Sequence, residues 1–230
     1  MGRGLLKRKM KNKIRRKRRL AMGKKVPFDL ANCSKKFNGF NNKYCLHTNI
    51  HNLIYKDGSF ENIKYQASNI TYCNFKNTKL MGVEFFHSNL KNTSFKQAKM
   101  ENVIFFNCNL KNVDFSNAIL KNVFFIATNI DNAIGISGGE FYLIKSYPDF
   151  TVETEVSEIL GQLSNINEYT KYKILFVTKK KINKWMLKLL MEEFGTDLNR
   201  ALRSLISRKD KRKFFTLYSY RKHIANYLKV

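Results

Sequence analysis

Residues 83–112 read VEFFH SNLKN TSFKQ AKMEN VIFFN CNLKN, and every fifth position is bulky and apolar: Phe85, Leu90, Phe95, Met100, Phe105, Leu110. Working outward, the spacing holds back through Leu80, Phe75, Ile70 and Tyr65, and forward through Phe115, Leu120, Phe125 and Ile130. Two residues before each lies something small or β-branched, as at Ser68, Cys73, Thr78, Val83, Ala98, Val103, Cys108, Val113, Val123 and Thr128. Three before, asparagine recurs at Asn77, Asn92, Asn102, Asn107, Asn112, Asn117 and Asn122. A period of five fits neither the 3.6 of a helix nor the 2.0 of a strand. It suits a short extended piece followed by a corner, wound into a solenoid. Asparagine suits the corners because it tolerates left-handed dihedrals and bonds its own backbone.

Segments such as Cys108-Asn109-Leu110-Lys111-Asn112 and Thr128-Asn129-Ile130-Asp131-Asn132 resemble the pentapeptide-repeat consensus A-(D/N)-L-x-x, and the likeness extends over about residues 38–135. That resemblance implies a right-handed quadrilateral β-helix with four pentapeptides per coil. The residues independently require an even number, because from 75 to 125 the central position alternates Phe with Leu or Met. With four per coil, Phe stacks on two opposite walls and the aliphatics on the other two. Twenty residues per coil then stacks Asn49, Asn69, Asn89, Asn109 and Asn129 into one amide ladder. It also puts Lys76 on Lys96, Lys91 on Lys111 and Lys79 on Lys99, an unfavourable placement unless solvent or an anion screens it. Phe86, Ile104, Phe106, Phe124 and Ile126 point outward on one wall and predict a covered interface. The cheapest cover is the chain's own C-terminal region, with a dimer or a protein partner as the alternative.

The expected fold is therefore a β-solenoid with a basic N-terminal arm (1–28), a cap and degenerate first coil (29–59), the β-helix (60–137) and a mainly α-helical C-terminal region (138–230). In the cap, Lys43 and Gly58 fall at inward positions. Helices are expected over about 151–166, 182–194, from 197 after a Thr196 cap, and from about Phe214, the last holding Leu217, Tyr218, Ile224, Tyr227 and Leu228, with core packing favoured over base stacking for Tyr218 and Tyr220. Residues 171–178 could be a strand or a helix start.

The net charge is +26, and residues 1–28 supply half of it with thirteen basic residues and no acid. A block this basic is expected to be disordered alone in water and points to a polyanionic partner. The candidate nucleic-acid contacts are Arg3, Lys7, Arg8, Lys9, Lys11, Lys13, Arg15, Arg16, Lys17, Arg18, Arg19, Lys24 and Lys25, joined by Lys179, Lys180 and Lys181. A localisation signal is the competing use of the run Lys13–Arg19. No apolar run approaches the ~18 residues of a membrane span, and the first residues are too basic for a signal-peptide core. Four cysteines without disulfide-framework density point to a reducing, cytoplasmic compartment. Cys33, Cys45, His47 and His51 match no common zinc spacing. Without a phosphate-binding glycine loop, nucleophile elbow or acid–base pair, no catalytic residue, metal or cofactor is assigned and the chain reads as a non-enzyme.

Three functions compete. A ribosome-associated, rRNA-binding accessory or protection factor is favoured, because acid-free Lys/Arg arms on small folded bodies resemble those of ribosomal proteins. A topoisomerase (gyrase) partner of the quinolone-resistance type is implied by the family resemblance, but that type mimics DNA with an acidic surface, and here the solenoid is basic. A nucleoid or DNA-binding protein is the third. A helix-turn-helix over 182–207 is possible in pattern, although most such pairs are plain hairpins.

Overall fold

The computed structural model describes residues 36–230 continuously, together with residues 10, 13–15, 17–18, 21–22 and 28–29. From Phe37 to Ile144 the chain winds into a β-solenoid of about five turns. Strands Gly39–Leu46, Ser59–Gln66, Lys79–Phe86, Ile104–Phe106 and Val123–Ile126 stack in parallel, following a short strand at Phe28–Asp29. The register advances by one coil of twenty residues: Tyr65 pairs with Phe85, Phe85 with Phe105, and Phe105 with Phe125. Four corners of five residues therefore make each coil.

The corners have one physical cause. Every fifth residue from 42 to 127 has positive φ, between 46° and 66°. Asparagine holds ten of these eighteen positions, and Gly82 one. Asparagine there stacks and bonds across coils, as in Asn112 Nδ2 to Asn92 Oδ1 at 3.0 Å and Asn77 Nδ2 to Asp57 Oδ1 at 2.9 Å. The predicted ladder is bonded between Asn49, Asn69 and Asn89, at 2.9 and 2.7 Å. Asn109 and Asn129 use Oδ1 on the backbone N–H of Lys111 and Asp131.

Inside the bore the aromatic walls form as the alternation predicts. Phe85, Phe105 and Phe125 stack at 5.2 and 5.1 Å with rings 8° apart. Phe75, Phe95 and Phe115 stack opposite at 5.0 and 5.5 Å. The two columns meet edge to face, with Phe105 and Phe115 5.7 Å apart at 87°. Both offset stacking and edge contacts suit the ring quadrupole.

The ends differ from expectation. The first coil is regular: Gly39 to Leu46 pair in register with Ser59 to Gln66. Lys43, at an inward position, is exposed because it lies on the terminal coil. Gly58 is buried, and a Cβ there would meet the Tyr55 carbonyl at 2.8 Å. At the other end the sheet runs beyond residue 137, since Phe141–Ile144 adds one more parallel strand to Val123–Ile126. Val123 pairs with Phe141, so this last step takes eighteen residues rather than twenty and breaks the period without ending the sheet.

Five helices follow: Thr154–Ser164 (α1), Asn167–Lys171 (α2), Lys184–Phe194 (α3), Asp197–Ser204 (α4) and Leu217–Leu228 (α5), with a hairpin of Phe176–Thr178 and Lys181–Ile182 between α2 and α3. Val156, Ile159, Leu160 and Leu163 are buried as expected, and 176–178 is strand. Thr196 precedes α4 but makes no side-chain cap, its backbone being helical already. On α5 the inward face is Leu217, Tyr220 and Ile224, while Tyr227 is exposed. The Thr216/Ser219 capping box sets that rotation by fixing where the helix starts.

Candidate nucleic-acid interface

Of the arm cations, Arg3, Lys7, Arg8, Lys9, Lys11, Arg16, Arg19, Lys24 and Lys25 lie outside the described residues. Lys13, Arg15, Lys17 and Arg18 are helical and exposed. Lys and Arg are good helix formers, which suits helical backbone at these four described positions. Lys179, Lys180 and Lys181 sit at the tip of the hairpin, all exposed. The hairpin turns its charge to solvent because Phe176 is buried on the other side.

Three outer faces of the solenoid carry lysines in columns. Lys91 and Lys111 share one, Lys56, Lys76 and Lys96 the next, and Lys79 and Lys99 the third. The acids on these faces are mostly committed. Glu101 pairs with Lys121 at 2.8 Å, Asp57 lies within 4 Å of Lys36 and Lys56, and Asp114 accepts from the Ser116 N–H. The Asn77 amide, then the neighbouring lysines, hold the Asp57 carboxyl below its ordinary value.

The fourth face is closed by the helices. Phe86, Ile104, Phe124 and Ile126 are buried against α1, α3 and α5, with Phe106 partly buried. Phe86 stacks on Phe106 at 4.8 Å, and Trp185 of α3 meets Phe106 edge-on at 6.2 Å. One coil earlier the same face is polar and equally buried. Lys64 Nζ lies 3.0 Å from Glu84 Oε2 and 3.4 Å from the centre of the Phe86 ring, both side chains fully buried. The backbone N–H of Leu217 donates to the other Glu84 oxygen, so Glu84 also caps α5. Burial pushes the Glu84 carboxyl up and the Lys64 amine down, each countered by the other.

α5 lies along one corner column, Asn62–Gly82–Asn102–Asn122. Thr216 Oγ1 donates to Asn62 Oδ1, the Tyr218 ring covers Gly82, and Arg221 Nη1 donates to Asn102 Oδ1 at 2.6 Å. Gly82 has φ +59°, and a Cβ there would lie 2.2 Å from Tyr218 Cγ, so only glycine fits under the ring. The sequence reading assigned neither this seam nor the Lys64–Glu84 pair. The signal for the pair was the twenty-residue register, which sets Lys64 over Glu84 on an outward position.

Among the described residues, no group of three His, Cys, Asp or Glu side chains converges to hold a metal, and no helix is long and apolar enough to cross a membrane. Cys33 of the considered zinc set lies outside the described residues. His47 is exposed, while His51 Nδ1 is 2.7 Å from Thr71 Oγ1. Burial pushes the Cys108 thiol up to about 12, which suits a packed core residue rather than a nucleophile.

Residues 68–105 and 108–134 match the family described as pentapeptide repeats, in eight copies. No curated protein matches the chain. Among solved structures it is similar to trypsin-treated QnrB1, a plasmid-mediated fluoroquinolone resistance protein, at 14% identity and TM-score 0.36, over 40% of this chain and 51% of that one. It is also similar to a pentapeptide repeat protein from the thylakoid lumen of Arabidopsis thaliana, at 18% identity and TM-score 0.31, over 43% of this chain and 71% of that one. A third, Rfr23 from the cyanobacterium Cyanothece 51142, has 16% identity and TM-score 0.27, over 45% and 64%. The chain spans about half the length of the QnrB1 structure it matches.

Proposed function

Because the repeat region of this chain belongs to the pentapeptide-repeat family, we propose that the protein is a non-enzymatic scaffold that binds structured RNA, as a ribosome-associated factor. The observation that carries this reading is the arm, with thirteen cations and no anion in its first 28 residues. Such an arm contacts phosphates and discriminates little between bases. A rigid solenoid behind it supplies a fixed shape, and structured RNA is recognised largely by shape and backbone. DNA groove reading has less support. α4, the second helix of the candidate helix-turn-helix, has eight residues, buries Leu198, Ala201 and Leu202, and commits Arg203 to Glu155 at 3.1 Å. A helix that short and that occupied offers few side chains to base edges.

The test is the arm. If about six to ten of its cations each neutralise a phosphate, affinity for an rRNA fragment falls by ~10³–10⁵ between 50 and 200 mM salt. Deleting residues 1–25 then removes most binding and flattens the salt dependence, while the circular dichroism of the solenoid stays the same. Equal affinity of full-length and shortened protein at ~100 mM salt, where a large difference is expected, would overturn the reading. A protein partner of the kind met by fluoroquinolone resistance proteins would then be the better account.

A further inference from the structure

We propose that the solenoid corner bearing Lys56, Lys76 and Lys96 on one side and Lys79 and Lys99 on the other is a second binding surface, one that takes a single RNA strand along the solenoid axis by its phosphates. The proposal rests on the RNA-binding reading above and adds a place on the folded body where the strand lies.

Three observations converge on this corner. The first is register. Lys79 and Lys99 are direct Cα partners. Lys56, Lys76 and Lys96 each follow a ring of one aromatic stack, Tyr55, Phe75 and Phe95, whose centroids are 4.7 and 5.0 Å apart. The cations are therefore spaced by the strand separation, ~4.8 Å, along a straight line. That interval is of the same order as the ~3.4 Å of axis per phosphate of a duplex strand, and a flexible four-carbon stem covers the difference.

The second is the missing counter-charge. Elsewhere on this solenoid a lysine stacked on an acid pairs with it, as Lys64 does with Glu84 and Lys121 with Glu101. Among the described residues, none of Lys76, Lys79, Lys96 and Lys99 has a carboxylate within 4.0 Å. Like charges stacked in register are unfavourable where solvent does not fully screen them, and a bound polyanion relieves them further. The third is shape. Lys56, Lys76 and Ile119 line a shallow trough of about 490 Å³ whose floor is the corner row Asp57, Asn77, Gln97 and Asn117. Its one carboxylate, Asp57, is held by Lys36, Lys56 and the Asn77 amide. Asn77 already gives its Nδ2 to Asp57, which leaves the Gln97 and Asn117 amides to donate to phosphate oxygens. No aromatic ring lines the trough, so bases find nothing to stack on and the contact is to backbone.

The experiment uses full-length protein carrying Lys76→Gln, Lys79→Gln, Lys96→Gln and Lys99→Gln, and measures binding of a single-stranded RNA oligonucleotide from 50 to 300 mM salt. If each lysine neutralises one phosphate, the slope of log affinity against log salt becomes shallower by about 2.8. Lys91→Gln/Lys111→Gln, on the neighbouring face, leaves the slope unchanged. Equal effects per lysine on the two faces overturn the proposal, because charge alone then explains binding. An unchanged slope in the quadruple variant overturns it too; if deleting the arm still removes binding, the RNA reading survives this failure. Should the quadruple variant lose its fold, Lys76→Gln/Lys96→Gln replaces it, with an expected slope change of about 1.4.

Discussion

Gly82→Ala tests the seam on which the C-terminal helix rests. Alanine at a left-handed corner costs about 1–2 kcal/mol by itself. The new Cβ would also lie 2.2 Å from Tyr218 Cγ and 2.3 Å from Cδ1, against ordinary contacts of 3.4–4 Å. The ring must therefore move by about 1 Å or more, a clash of the overpacking kind worth about 1–3 kcal/mol. Moving the ring also disturbs the Tyr218 hydroxyl, which donates to Glu61 at 3.2 Å. The expected total is about 2–5 kcal/mol. A double-mutant cycle separates the two parts. Tyr218→Ala is not the right partner, since Tyr218 Cβ itself lies 2.5 Å from the new atom. In a Tyr218→Gly background, Gly82→Ala should cost only the backbone part, about 1–2 kcal/mol. Urea unfolding by circular dichroism gives the energies, and fluorescence of Trp185, the sole tryptophan, reports helix docking because its ring packs on Phe106. Identical costs of Gly82→Ala in both backgrounds would show that Tyr218 does not sit over this corner.

Phe105→Ala empties a site with rings stacked above and below and should cost about 3–5 kcal/mol; a loss under 1 kcal/mol in urea unfolding contradicts a packed bore. Lys64→Met leaves the buried Glu84 carboxylate without its partner, at about 3–5 kcal/mol. Adding Glu84→Gln, which still accepts from the Leu217 N–H, should recover much of that loss, and no recovery would mean the pair is not the source of the cost. Ala127→Asn, at a corner with φ 46°, should raise stability by about 0.5–1 kcal/mol, checked by the unfolding midpoint. The Cys108 thiol, held up to about 12 by burial, should resist alkylation at pH 8.5 in folded protein and react only on unfolding; rapid labelling of native protein would refute its burial.

The solenoid was legible because its signal is local and repeated. Phe85, Leu90 and Phe95 announce the bore, and Asn92 or Asn107 announces a corner, within a window of a few residues. Twenty per coil then places Lys76 over Lys96 without further information. Other features depend on contacts that no period encodes. Glu84 caps Leu217 across 133 positions of sequence, and Gly82 is explained only once Tyr218 lies on it. Leu217, Tyr218, Ile224, Tyr227 and Leu228 read as one apolar set on α5, and only the cap at Thr216 decides that Tyr220 turns inward and Tyr227 outward. The strand Phe141–Ile144 was hidden by an eighteen-residue step in an otherwise twenty-residue register. For function, the arm and Lys179–Lys181 were visible as charge alone, and charge names a class of partner rather than a partner.

Solenoids ordinarily gain and lose repeats freely, because each unit touches only its neighbours and stability is a sum over neighbouring pairs. Here α5 touches the corners at Asn62, Gly82 and Asn102 at once, at spacings set by its own rise. The helix is thus a gauge laid against the stack. Removing or duplicating a whole coil between Asn62 and Asn102 keeps the internal register perfect and still puts the wrong corner under Tyr218. The length of this repeat tract is locked by a segment that contains no repeat, and the coils it spans should unfold together rather than fray one at a time.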